Sequence, residues 1–169
     1  MERICSFYVS DWHLAMMIMP YLKEKISEGS NFTTILESDI EKNVLEIMKK
    51  VNVEEKITNK IKNIYWEPSK IIKYSDISER LNKISTAEEV IVVINGNTEF
   101  IKHANSNIEK WIRENEKKIK GKSIKIIDFY EMNEIKEEMK EILDKHDKIL
   151  NTSGEKEIGE VFEGYKRVI

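Results

Sequence analysis

The stretch Val90-Ile91-Val92-Val93-Ile94-Asn95-Gly96-Asn97 decides the fold. Its uninterrupted apolar run, rich in β-branched residues and without polar alternation, fits a strand buried on both faces, as central strands of parallel sheets are. Asn-Gly-Asn ends it sharply. Downstream, Thr98 to Ile119 sets Phe100, Ile101, Ala104, Ile108, Trp111 and Ile112 on one helical face. Gly121 then introduces a strand over Ser123 to Tyr130, and Glu134 to Leu150 predicts the last strong helix. Beyond Asn151, glycines 154, 159 and 164 break the pattern, with Val161-Phe162 a candidate edge strand.

Upstream the same alternation appears. Ile4 to Val9 reads as a strand, Ser10-Asp11 as a helix start, and Trp12 to Glu28 as a helix ended by Gly29. That helix is apolar almost all round through Met19, which predicts a buried first half, and Pro20 predicts a kink or break near Met16 to Met19. On that expectation Pro20→Ala destabilises the fold. Phe32 to Leu36 is a second strand, followed by a helix carrying Ile40, Val44, Leu45, Ile47 and Met48. Val53, Ile57 and Ile61 predict a short helix, Asn63 to Trp66 a strand stopped by Pro68, and Ile77, Leu81 and Ile84 a further helix.

Five strands alternating with helices predict an α/β three-layer sandwich with a mainly parallel central sheet of about five strands, of Rossmann-like type. The length of 169 residues suits one domain spanning 1–169. Charged residues make up 35% against about 25% in an average protein, so the surface is dense in charge, while 40% apolar residues suffice for a core. A net charge of −3 without a basic arm argues against direct nucleic-acid binding. The single cysteine, Cys5, the short apolar runs and the absence of a signal-like leader predict a cytoplasmic protein without membrane contact. Lysines outnumber arginines 24 to 4, a bias expected of an AT-rich genome.

In parallel α/β sheets, ligands sit beyond the carboxyl ends of the strands. The polar residues there make Ser10, Asp11, His13, Glu37, Asp39, Asn95, Asn97, Glu99 and Tyr130 the candidate ligand-binding set, although loops and helix caps are polar in any such fold. Neither G-x-x-x-x-G-K-[ST] nor G-x-G-x-x-G occurs, which disfavours conventional nucleotide hydrolysis. His13, His103 and His146 are far apart, and no H-E-x-x-H or C-x-x-C pattern suggests a metal. Cys5 reads as a small buried hydrophobe, and Met16, Met17 and Met19 as core filling. No catalytic residue, metal or cofactor is assigned.

The opening Arg3-Ile4-Cys5-Ser6-Phe7-Tyr8, with Met19-Pro20-Tyr21-Leu22 and Ile26 to Gly29, resembles the start of the MEDS domain, a sensory domain of methanogens and methylotrophs. The strand Ile124 to Tyr130 containing Asp128, followed by Leu143-Asp144-Lys145-His146-Asp147-Lys148-Ile149-Leu150, resembles that family's Y-D strand and its A-L-x-x-H-P-x-V helix end. Arg3 stands where the family commonly has His, Asp147 where it has Pro, and Asn95-Gly96-Asn97 replaces a G-E-M-like stretch. The resemblance implies a degenerate relative of the KaiC and RecA ATPases, lacking the phosphate loop, that senses a small molecule or relays a signal.

The expected function is therefore a non-catalytic sensory or regulatory module. Its expected partner is a signalling protein such as a histidine kinase or transcription regulator, or a second copy of itself, with a small-molecule ligand possible. The alternative is a small enzyme or residual nucleotide binder using Asp11, Glu37, Asp39 and Glu99 for acid/base chemistry or a hard cation.

Overall fold

The structure, a computed structural model, describes residues 1–135 and 137–165. In chain order the elements are β1 (Glu2–Tyr8), α1 (Asp11–Ser27), β2 (Asn31–Leu36), α2 (Glu41–Lys50), α3 (Glu55–Lys62), α4 (Tyr74–Ile84) and β3 (Glu89–Asn95). They continue as α5 (Thr98–Glu114), α6 (Glu116–Ile119), β4 (Ser123–Glu131), a 3-10 turn (Met132–Glu134), α7 (Met139–Asp144), β5 (Lys148–Asn151), β6 (Gly154–Glu157) and α8 (Ile158–Val161). The sheet order is β2-β3-β4-β1-β5-β6, with every pair parallel except β5–β6.

The uninterrupted apolar run is β3, paired with β2 and β4 in the sheet interior, its Val90 to Ile94 all buried. Each face of the sheet has its own core because successive strand residues point to opposite sides. On one face α1, α2 and α3 cover Ile4, Tyr8, Ile91, Val93, Ile127 and Phe129. On the other, α4, α5 and α7 cover Cys5, Phe7, Val92, Ile94, Ile126 and Tyr130. Each fully buried large apolar side chain in these layers contributes about 1.5–3 kcal/mol. This is the α/β three-layer sandwich of Rossmann-like type.

Several local expectations are corrected. Asn63 to Trp66 forms no strand: it crosses the open edge of β2, where Thr34 Oγ donates to the Tyr65 carbonyl and Ser69 N–H to the Leu36 carbonyl. The long helix expected over 134–150 is only α7, while Lys148–Asn151 forms β5 because its buried Ile149 and Leu150 complete the sheet beside β1. Lys136, inside that expected helix, lies outside the described residues. The edge strand is Gly154–Glu157, and Val161-Phe162 instead ends α8. The helix expected to run from Thr98 to Ile119 stops at Glu114 and resumes as α6.

Pro20 does not break α1, which is helical without interruption from Asp11 to Ser27. Met16, 49% exposed, and Pro20 lie one turn apart on the outer stripe, so the proline and the residue whose carbonyl loses its helical donor both sit on the exposed face of the helix. The first half is therefore not buried all round. Leu14, Ala15, Met17, Ile18 and Met19 pack inward. At the other end Gly29, at φ +95°, supplies the left-handed turn that stops the helix, with Ser30 N–H donating to the Lys25 carbonyl.

Candidate functional site

The carboxyl ends of β1 to β5 lie along one margin of the sheet, and the loops following β1, β2 and β3 meet there. Asn95, the last residue of β3, is fully buried and ties the three together. Its Nδ2 donates to the Tyr8 hydroxyl at 2.6 Å, its backbone carbonyl accepts from Glu37 N–H at 2.8 Å, and its Oδ1 accepts a longer bond from Ser38 N–H at 3.4 Å. Burial pushes the Tyr8 phenol up to about 12 despite the amide donated by Asn95, so it stays neutral at physiological pH.

Asn97 serves two partners. Its Oδ1 caps α5 by accepting from Phe100 N–H at 2.8 Å, while its own backbone N–H donates to Glu37 Oε1 at 3.1 Å. Between these asparagines, Gly96 leaves the chain against the Phe100 ring: an added Cβ would lie 2.5 Å from Cδ1 of that ring. On β1's side Ser10 caps α1, its Oγ accepting from His13 N–H at 3.1 Å, and His13 Nδ1 accepts from Val9 N–H at 3.0 Å. Of the sequence candidates, Asn95, Asn97 and Glu37 thus come together directly, and Ser10 with His13 forms a separate local clamp.

The rest disperse. Asp39 Oδ1 accepts from Glu41 N–H at the entry to α2, and Asp11 and Glu99 are exposed in the first turns of α1 and α5. Tyr130 belongs to the opposite core, stacked 6.0 Å from Phe7. Burial and the Asp128 charge push its phenol well above the usual range. Among the described residues no group of three or more His, Cys, Asp or Glu side chains is placed to hold a metal ion. Burial, followed by the Asp128 charge, pushes the Cys5 thiol up to about 12, which disfavours the nucleophilic thiolate.

No family model matches the chain, and no curated protein is significantly similar to it.

Two polar clusters fall outside the sequence candidates. One joins both ends of the chain: Asp128, fully buried on β4, accepts from Asn105 Nδ2 at 3.0 Å and Arg3 Nη2 at 3.2 Å, and lies 2.7 Å from His146 Nε2. The other nitrogen of His146 is 2.6 Å from the Ile142 carbonyl, so both ring nitrogens face oxygen atoms. Among the described residues, Arg3 Nε and Asn105 Oδ1 have no hydrogen-bond partner beside this network.

The second cluster lines openings beside β2. Two adjoining cavities of about 390 Å³ each run along the open edge of β2 and share Phe32, Asn63, Lys83 and Ile84. Arg80 of α4, only 9% exposed, reaches into the first. Its Nη1 donates to the Thr34 carbonyl at 3.1 Å, its Nη2 donates to Ser69 Oγ at 2.9 Å, and its Cζ lies 4.0 Å from the centre of the Tyr65 ring. One signal for it stood in the sequence: an arginine, in a chain that otherwise uses lysine, falls beside the apolar stripe of Ile77, Leu81 and Ile84.

No helix among the described residues is long and apolar enough to cross a membrane.

Proposed function

We propose that this chain is a non-catalytic regulatory module of the sensory kind implied by the MEDS resemblance, binding a small molecule and answering to a signalling protein or a second copy of itself. The observation that carries this reading is the hydrogen-bonded seal at the strand ends. Asn95 fastens to Tyr8 and to the Glu37-Ser38 backbone, and Glu37 fastens to Asn97. Residues that an enzyme of this architecture would direct at substrate are here spent on one another. The MEDS resemblance gains support from its two C-terminal landmarks, Asp128 and His146, which meet in one buried network with Arg3 of the opening motif.

The module acts by population shift, ligand or partner binding favouring one arrangement of its loops over another. A thermal-shift series with ATP and GTP, each with Mg²⁺, discriminates this from the enzyme reading. The expected result is no change in Tm at millimolar nucleotide, whereas a rise of several degrees favours a nucleotide-using enzyme. Native mass spectrometry of protein recovered from its own cells then reads the regulatory role, with self-association, a bound partner or a retained metabolite expected. Finding none of the three removes the proposal.

A further inference from the structure

Asp76 and Arg80 lie four residues apart on α4, the spacing at which opposite charges on a helix ordinarily pair. Here they do not. Arg80 is drawn inward by the Thr34 carbonyl, Ser69 Oγ and the Tyr65 ring, none of which carries a negative charge. Among the described residues no carboxylate pairs with it, and Glu79 turns instead to Lys83 at 3.4 Å. A guanidinium buried to this degree is always charged, and leaving it without a counter-ion is costly. Asp76, exposed, makes no ion pair among the described residues and lines the same cavity.

We propose that this cavity is the ligand site of the module and that it takes a free α-amino acid. The carboxylate meets Arg80 and the ammonium meets Asp76. The Nη1 and Nη2 atoms each keep a second hydrogen after their bonds to Thr34 and Ser69, which suits a planar carboxylate. A dianion such as phosphate fits less well, because Asp76 and Glu79 line the same cavity. Phe32 and Ile84 provide apolar wall for a side chain, and a volume of about 390 Å³ lies in the usual range for small-molecule sites. The position is unusual for this architecture, at the open edge of β2 rather than at the sealed strand ends.

The inference rests on the reading of the chain as a ligand-answering module, yet the two fail separately. Loss of the amino-acid site leaves self-association and partner binding to be measured, and nucleotide binding at the strand ends removes the module reading whatever the cavity holds. The test is calorimetric titration of the full chain with the standard amino acids one at a time, then with the amino alcohol of the best binder and with inorganic phosphate. At least one amino acid should bind, with its amino alcohol and phosphate at least tenfold weaker. Arg80→Lys, which keeps the charge and loses the fork, should weaken binding at least tenfold. Arg80 also fastens the β2 edge, so Asn63→Trp is the second variant: it fills an exposed wall of the cavity without touching Arg80 and should abolish binding with Tm unchanged. Binding by no amino acid, equal binding of the amino alcohol, tighter binding of phosphate, or full binding by Asn63→Trp overturns the proposal.

Discussion

Asp128 shows how much one residue can hold in a sheet interior. Its two oxygens take bonds from Asn105 and Arg3 and face His146, so β1, β4, α5 and the turn before β5 converge on a single carboxylate. Removing one partner of a buried charge network typically costs about 3–5 kcal/mol, because the remaining charges stay buried without compensation. Asp128→Ala should therefore lose stability of that order in urea unfolding, and a loss below about 1 kcal/mol would show that the network is not structural. Sequence made part of this visible: Asp128 and His146 stood in the motifs that carried the MEDS resemblance, while Asn105 gave no signal because an asparagine in a helix is usually a surface residue. The candidates Asn95, Asn97 and Glu37 were legible from strand ends alone. That they would bond to each other rather than to a ligand was not, since that depends on how the β2 and β3 ends sit side by side. Arg80 and Asp76 were missed for a related reason, as the uncapped edge of β2 exists only once the strand order is known.

Elements were legible where periodicity was long. β3, α4 and α5 follow their apolar patterns, whereas Lys148–Asn151 continues a helical pattern by composition and becomes a strand because β1 offers it an edge. The same tertiary override explains Asn63 to Trp66, whose carbonyl partner on β2 is a side chain rather than a ladder. For α1 the uninterrupted helix reverses the expectation for Pro20. Alanine there restores a donor to the Met16 carbonyl with no change of backbone path, against a smaller loss from a freer unfolded chain. Pro20→Ala should raise Tm by roughly 2–4 °C, about 1 kcal/mol in a chain of this size. A fall in Tm would mean that the proline shapes the helix.

At the edge pair β5–β6, Glu155 is bonded by Lys125 Nζ at 2.9 Å and by the Tyr21 hydroxyl at 3.0 Å. Burial alone would raise its pKa, but the Lys125 and Tyr21 bonds outweigh it and hold the carboxyl below the usual range. A lowered pKa means that this contribution is present above the ordinary carboxylate range and is lost as pH falls through it. Glu155→Gln should accordingly be less stable than the native chain at about pH 6, with the gap closing towards about pH 3 in urea midpoints. A gap independent of pH would assign the effect to packing.

Across the whole molecule, the sheet divides its labour between two margins. The strand ends, where ligands usually enter this architecture, are stitched by Asn95, Asn97 and Glu37, while the open edge of β2 carries the cavities and a guanidinium that no carboxylate among the described residues pairs with. The alternation of strand and helix foretold the layers and the parallel sheet, but not β5, β6 or the crossing segment that shapes the edge groove, because each depends on contacts between distant parts of the chain. The most direct measurement is a backbone amide chemical-shift map recorded twice, once with the best-binding amino acid and once with ATP and Mg²⁺. The account predicts that the amino acid moves Thr33, Ser69, Asp76 and Arg80 and that the nucleotide leaves Ser38, Gly96 and Asn97 where they were. Nucleotide-dependent shifts at Ser38, Gly96 and Asn97, with the β2 edge silent to amino acids, would contradict it.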